Sequence, residues 1–400
     1  MRAEPVDGVR AILLGSGWLG SGRAAVFERP DRVLRFSGGR VRTEGGERPS
    51  SAGEFLDLLD RELDRGYFGV GFLSYEFFHG LLPDFRSRPK QPSCFPEASF
   101  ALYRSFREAS QEEVLDGDVI EPEAGSRMTR MMDPGRFMFM VDAVREHIRA
   151  GDVYQVNISQ MFKFPFRWSP EVFLRRLYSS QPVPFACCMD FGDFGLISGS
   201  MELFLRKSGR VLTSCPIKGT RPRGENAGED ERMRGELMRS EKERAENLMI
   251  VDLMRNDIGR VCEFGTVVVN RLFDVETYST LHQMVSEVSG RVREGVSPGE
   301  IIRATFPPGS VTGAPKVRAL EIIEELEPHR RGPYCGAIGL FMPEGDFVLS
   351  VGIRVVGYHG GTGYYWAGGG ITWGSVPEME YRETLVKARA VSRAMGAELD

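Results

Sequence analysis

Two pairs of glutamates stand three residues apart, Glu243 with Glu246 and Glu380 with Glu383. On a helix that spacing puts both carboxylates of a pair on one face. Were the two helices to meet, four carboxylates would converge and call for a cation. Oxygen ligands without thiols suit Mg2+, which keeps part of its water and accepts anionic oxygens from a ligand. A lysine, Lys218, lies in CPIKGT (215–220) between apolar or side-chain-free neighbours. Withdrawn from water, such an amine loses basicity and becomes a nucleophile. In PPGSVTGAPK (307–316), two glycines, Ser310 and Thr312 precede a helical segment with Pro315 in its first turn. The unsatisfied N–H groups of a helix start suit a carboxylate or phosphate, although no Gly-Lys-Ser/Thr phosphate loop is present. AGGG (367–370) offers bare backbone for a ligand or for tight strand packing. Each feature alone also has a structural reading: exposed helix surface, a solvated lysine, a capping turn, a packed strand.

The elements that must position these residues follow from periodicity. Phe137, Val141, Val144 and Ile148 recur at helical spacing and predict a helix over 134–149. Residues 153–162 alternate as a strand, and 185–197, 200–205 and 211–220 are strand-like blocks. The charged stretch 221–245 reads as a solvated loop entering a helix over 241–256. Residues 316–326 predict a helix, and 337–341, 347–356 and 363–366 predict antiparallel strands. Ser375, Pro377 and Glu378 fit a capping-box start for the helix of Glu380 and Glu383. Within residues 1–106, short apolar runs broken by glycine, as in GYFGVGFLSY (66–75), predict a strand-rich subdomain. Residues 107–130 read as a polar linker to a larger part, 131–400. Distant strands with helices between them predict an α+β fold.

With 51 basic against 56 acidic side chains and a formal charge of −5, the chain lacks the basic bias of a nucleic-acid binder. The apolar run Ala11–Leu14 is too brief for a signal-peptide core, and no stretch is long enough to span a bilayer. Six cysteines without paired CxxC spacing argue against zinc or a disulfide framework and fit a reducing, cytoplasmic setting.

Taken in order, seven segments resemble the chorismate-utilising enzyme family, which includes anthranilate, aminodeoxychorismate, isochorismate and salicylate synthases. They are GDVYQVNISQ (151–160), SGSMELF (198–204), PIKGT (216–220), ENLMIVDLMRNDIGRVC (246–262), GSVTGAPKVRA (309–319), AGGGIT (367–372) and SVPEMEYRET (375–384). The resemblance covers about residues 125–395, with a looser match through GVGFLSYE (69–76). It implies a large antiparallel-sheet sandwich with helices outside, whose two parts share an interleaved core. It makes 131–400 the chorismate-binding catalytic domain.

Within the family PIKGT is typical of aminodeoxychorismate synthases, where anthranilate synthases carry alanine at the lysine. The implied reaction is therefore chorismate plus ammonia to 4-amino-4-deoxychorismate, towards para-aminobenzoate and folate. Lys218 would form a covalent adduct and Glu202 would act as the acid. Mg2+ would be held by Glu246 and Glu383, with Glu243 and Glu380 in support. Arg354, Tyr334 and Gly368, Gly369 and Gly370 would hold the enolpyruvyl carboxylate. Ser310 would touch substrate and His282 would lie near the ring, a satisfied core histidine being the alternative.

Two departures matter. LLGS (13–16) lacks the glutamate of the family's tryptophan-feedback element, so that feedback is not expected, and Ser200-Met201-Glu202 replaces Ser-Pro-Glu. No Gly-x-Cys-x-Gly glutaminase nucleophile is present and the chain has no room for an appended amidotransferase, so ammonia is expected free or from a separate glutaminase subunit. Anthranilate or isochorismate synthesis on the same scaffold is the alternative. A non-catalytic chorismate-binding subunit is disfavoured because Glu202, Lys218, Glu246 and Glu383 are all present.

Overall fold

The computed structural model describes residues 7–82, 84–91, 93–117 and 127–399. Two large sheets, antiparallel except at one edge pairing, enclose the principal core, and helices cover their outer sides. The first sheet runs through strands 127–130, 155–165, 362–371, 355–359, 194–200, 185–190, 10–14, 23–28 and 107–110. The second runs through 217–222, 281–291, 211–215, 203–208, 347–351, 337–341, 68–73, 98–103, 32–37, 40–43 and 46–49. The fold is α+β, as the segment pattern implies.

Strands from the first hundred residues enter both sheets. Arg10–Leu14 pairs with Phe185–Asp190, and Phe68–Leu73 pairs with Ala337–Phe341. Val156 and Ile158 of one sheet share a core with Phe72 and Leu340 of the other. A second cluster, with Leu174, Leu177 and Val391, lies where helices Pro170–Ser180 and Pro377–Met395 cover the first sheet.

Several local expectations change. The stretch read as a linker contains strands Arg107–Ser110 and Arg127–Arg130 and a short helix, Gln111–Leu115; its residues 118–126 lie outside the described residues. The strand-rich first part also contains a helix, Ala52–Asp64. Its start is a capping box in which Ser51 and Glu54 satisfy each other's backbone N–H groups. The charged loop contains a helix, Ala227–Arg239, capped by Asn226. Block 185–197 is a hairpin, turning where Asp190 accepts the N–H of Gly192, whose φ is 87°.

Two apparent single strands are corners at which the chain changes sheets. Phe194–Ser200 belongs to the first sheet and Leu203–Ser208 to the second, so Met201 and Glu202 form the crossing. Block 347–356 likewise divides into Phe347–Val351 and Val355–His359, with Arg354 in the crossing. The corners are tied together: Gly199 N–H donates to the Arg354 carbonyl at 3.1 Å, and Val351 N–H to the Glu202 carbonyl at 3.0 Å.

Candidate active site

Glu202 is buried at its corner, and burial pushes its carboxyl up to about 7. The Ser310 hydroxyl, the Lys218 ammonium and the Ile217 N–H, 3.4 Å from Oε1, pull the other way without prevailing. A carboxyl in this condition can carry a proton near neutrality, as a general acid must. Arg354, at the other corner, has φ 47°, a backbone state rare outside glycine and often found at functional positions. Its half-buried guanidinium has no carboxylate partner among the described residues, and burial lowers its pKa. An unmatched guanidinium of this kind is suited to a carboxylate ligand.

Lys218 stands on the edge strand Ile217–Pro222, which pairs with Leu281–Arg291. Burial lowers its basicity, opposed mainly by the Glu246 and Glu202 carboxylates and assisted by the Lys387 charge. A Cβ at Gly370 would lie 3.4 Å from Lys218 Nζ and 2.0 Å from Gln155 Nε2. At Gly369 it would meet Glu380 and Glu383, at 3.2 and 3.6 Å, and at Gly368 the Tyr334 hydroxyl at 2.8 Å. Bare backbone at Gly368 and Gly370 therefore lets the strand pass against Tyr334 and Gln155, where a Cβ would collide, while Gly369 lies close beside the acidic helix.

Both acidic pairs ride in the first two turns of their helices. Helix Glu241–Gly259 is capped by Ser240, which accepts from Glu243 N–H and fixes Glu243 beside the positive end of the dipole. Helix Pro377–Met395 starts differently from the expected capping box. Val376 is the cap residue, and the Ser375 hydroxyl donates to Glu380 Oε1 at 2.6 Å. Pro315 is likewise the cap residue before helix Lys316–Leu326, not part of its first turn.

The carboxylates feel one another. Burial raises Glu246, with Glu243 and Glu380 adding to the rise; burial also raises Glu380, with Glu383 adding. Burial acts on Glu383 too, but the Lys387 ammonium at 2.7 Å prevails and holds it below the ordinary range. Glu246 Oε1 is buried without a hydrogen-bond partner, its nearest cation being Lys242 at 3.9 Å. Among the described residues no three carboxylate, imidazole or thiolate groups are gathered closely enough to hold a metal by themselves. Carboxylate oxygens without a thiolate or an imidazole are the donor chemistry that Mg2+ accepts.

The remaining predicted residues are placed as follows. Ser310 is buried in the turn Gly309–Val311, facing Glu202. Tyr334 is buried and stacks on Trp366 at 6.4 Å between ring centroids. His282 is buried with both ring nitrogens engaged, Nε2 with Asp230 at 3.0 Å and Nδ1 with Thr277 at 2.9 Å, so its polar atoms serve the protein.

Three residues were not anticipated. Lys387 joins Glu383 to the Gly368 carbonyl, which it reaches at 2.8 Å; its place one turn beyond Glu383 was the available signal. Gln155 is buried against Gly370 with its Oε1 unpartnered, a neighbourhood created by cross-strand pairing. Arg331 is buried, bonded through two nitrogens to Glu327, and it also donates to the Val311 and Asn157 carbonyls. It fastens the Ser310 turn to the strand of Gln155.

The family described as chorismate binding enzyme matches residues 23–393. Aminodeoxychorismate synthase component 1 of Bacillus subtilis is 41% identical over 276 residues, 69% of this chain and 59% of that protein. Anthranilate synthase component 1 of Thermus thermophilus is 44% identical over 275 residues, 68% of this chain and 59% of that protein. The match therefore spans 59% of the length of each of these relatives. The crystal structure of anthranilate synthase component I from Streptococcus pneumoniae superposes with a TM-score of 0.82 at 27% identity, over 98% of this chain and 94% of that one.

Proposed function

The chain belongs to the chorismate-binding enzyme family, and from that premise we propose that it converts chorismate and ammonia to 4-amino-4-deoxychorismate. The observation that carries this reading is Lys218, its basicity lowered by burial, standing in electrostatic reach of the protonatable Glu202 and beside bare backbone at Gly370. The neutral Lys218 amine attacks carbon 2 of the ring. Both ring double bonds shift by one position, the carbon 4–oxygen bond breaks, and Glu202 gives its proton to the departing hydroxide, which leaves as water. Ammonia then forms a bond to carbon 4, both double bonds shift back, the carbon 2–nitrogen bond breaks to release the neutral Lys218 amine, and a proton of the new ammonium returns to the Glu202 carboxylate. Two easier substitutions replace one difficult one.

Arg354 supplies a fork of N–H donors to the enolpyruvyl carboxylate, with the Tyr334 hydroxyl and the backbone of Gly368–Gly370 beside it. Ser310 orients the Glu202 carboxyl. Glu246 and Glu383 would hold Mg2+, with Glu243 and Glu380 in support, and the ion would supply positive charge to the ring carboxylate. The relatives are named as first components, which supports ammonia delivered by a separate glutaminase.

Product analysis by mass spectrometry from chorismate, Mg2+ and ammonium tests the reading. Aminodeoxychorismate is expected. Anthranilate as the wild-type product, the activity named for the Thermus relative, would replace it.

A further inference from the structure

Arg331 is the largest of the fully buried side chains among the described residues, and its partner Glu327 is buried beside it. An ion pair at that depth is costly to desolvate, and for stability alone two apolar side chains of similar volume would serve as well. Apolar side chains could not, however, reach backbone in several directions at once. The guanidinium sends Nε and Nη2 to Glu327 at 2.8 and 2.7 Å, Nη2 also to the Asn157 carbonyl at 2.7 Å, and Nη1 to the Val311 carbonyl at 3.1 Å. Glu327 in turn accepts the N–H and the hydroxyl of Ser159, at 2.7 and 2.9 Å. The backbone of Arg331 is held as well. Glu76 accepts the N–H groups of Arg331 and Gly332, at 2.6 and 3.0 Å, and the Arg331 carbonyl accepts the Tyr334 N–H at 3.1 Å.

Three parts of the chain thus meet on one side chain. Val311 adjoins Ser310; Asn157 and Ser159 lie opposite Gly370 and Gly368 on the paired strand; and the turn that begins at Arg331 carries Tyr334. A Cβ at Gly368 would lie 2.8 Å from the Tyr334 hydroxyl and 2.9 Å from the Ser159 Cβ, so that hydroxyl stands over the stretch Glu327 grips. We propose that Arg331, oriented by Glu327, is a positioning residue that fixes the Ser310 and Tyr334 hydroxyls relative to each other, and with them the fit of chorismate. The planar fork of N–H donors suits this task, because a lysine ammonium cannot reach the same acceptors together. The role rests on the substrate contacts proposed for those two hydroxyls.

Steady-state kinetics of the full chain in two backgrounds tests it. Arg331→Lys keeps a charge beside Glu327 and loses part of the fork, and it should raise the KM for chorismate about tenfold. Added to Tyr334→Phe with Ser310→Ala, which lack both hydroxyls, the same substitution should raise KM less than about threefold, since the groups it positions are gone. A change that merely loosened the fold would multiply KM equally in both backgrounds. Stability gives a second readout. Arg331→Met strands a buried carboxylate, whereas Arg331→Met with Glu327→Gln removes both charges and leaves Ser159 an acceptor. The double variant should unfold at a higher temperature than Arg331→Met, yet its KM should stay raised; if Arg331→Met does not fold, Arg331→Lys decides. A wild-type KM in Arg331→Lys, an equal rise in both backgrounds, or a KM restored together with stability in the double variant would each overturn the proposal. Loss of the underlying contacts shows separately, as a KM that Tyr334→Phe with Ser310→Ala leaves unchanged, and would remove the role with them. If the amination reading fails instead, chorismate yields another product, and the KM of that reaction is compared across the same variants.

Discussion

Glu202 ties the chemistry to a measurable stability. Its carboxyl is pushed by burial from an ordinary 4.5 to about 7. The unfolded chain therefore loses this proton near the lower value and the folded chain near the higher one. Between them the native state binds more protons than the unfolded state, so wild-type stability declines as pH rises through that window. Each pH unit of displacement corresponds to about 1.4 kcal/mol, so the full burden is about 3 kcal/mol above neutrality. Glu202→Gln keeps the shape and cannot ionise. Urea unfolding of both proteins at about pH 4.5 and about pH 8 should show the variant gaining up to about 3 kcal/mol relative to wild type between the two conditions. Any packing change is the same at both and cancels. Turnover at neutral pH should fall about a hundredfold or more, because the leaving group loses its proton donor. A stability difference that does not change with pH would refute the reasoning, since it would mean that the carboxyl ionises in the folded protein as it does in water.

Three further outcomes are expected. Arg354→Lys should raise the KM for chorismate about tenfold or more, with a smaller change in kcat, because an ammonium cannot reproduce two parallel N–H contacts; an unchanged KM would remove Arg354 from the binding set. Glu246→Gln should weaken Mg2+ binding about tenfold or more in calorimetry, independently of turnover; unaltered affinity would place the ion elsewhere. Gly370→Ala puts a methyl 2.0 Å from Gln155 Nε2 and 3.4 Å from Lys218 Nζ. It should cost about 1–3 kcal/mol in thermal unfolding and most of the turnover, and a fully active, equally stable variant would contradict the tight passage described.

Residues that follow one another along an element were readable in the sequence. The pairs Glu243 with Glu246 and Glu380 with Glu383 share helices because three-residue spacing is local, and the run Gly368–Gly370 announces a strand that tolerates close neighbours. Sheet membership was not readable. Periodicity runs straight through 347–356 as one strand, yet the chain passes from one sheet to the other at Gly352–Arg354, and the same holds at Met201–Glu202. The acid and the unmatched guanidinium sit at these corners, where distant strands decide the path. The charged helix Ala227–Arg239 reads as a loop because it shows little apolar periodicity, although Asn226 is a cap residue by type. Helix Ala52–Asp64 carried a Ser-x-x-Glu start that outweighs the glycines around it. The position of Ser375 suits a cap, yet with Glu380 within reach its hydroxyl donates to that carboxylate instead. His282 illustrates the converse, since only the folded chain brings Asp230 and Thr277 to its two nitrogens.

Intact-protein mass spectrometry after mixing with chorismate and Mg2+, in the absence of ammonium, addresses the central claim most directly. The account predicts one added mass equal to chorismate less one water, carried by the peptide containing Lys218, absent from Lys218→Ala and discharged when ammonium is supplied. Steady formation of aminodeoxychorismate by Lys218→Ala at the wild-type rate, with no adduct on the wild-type chain, would contradict it.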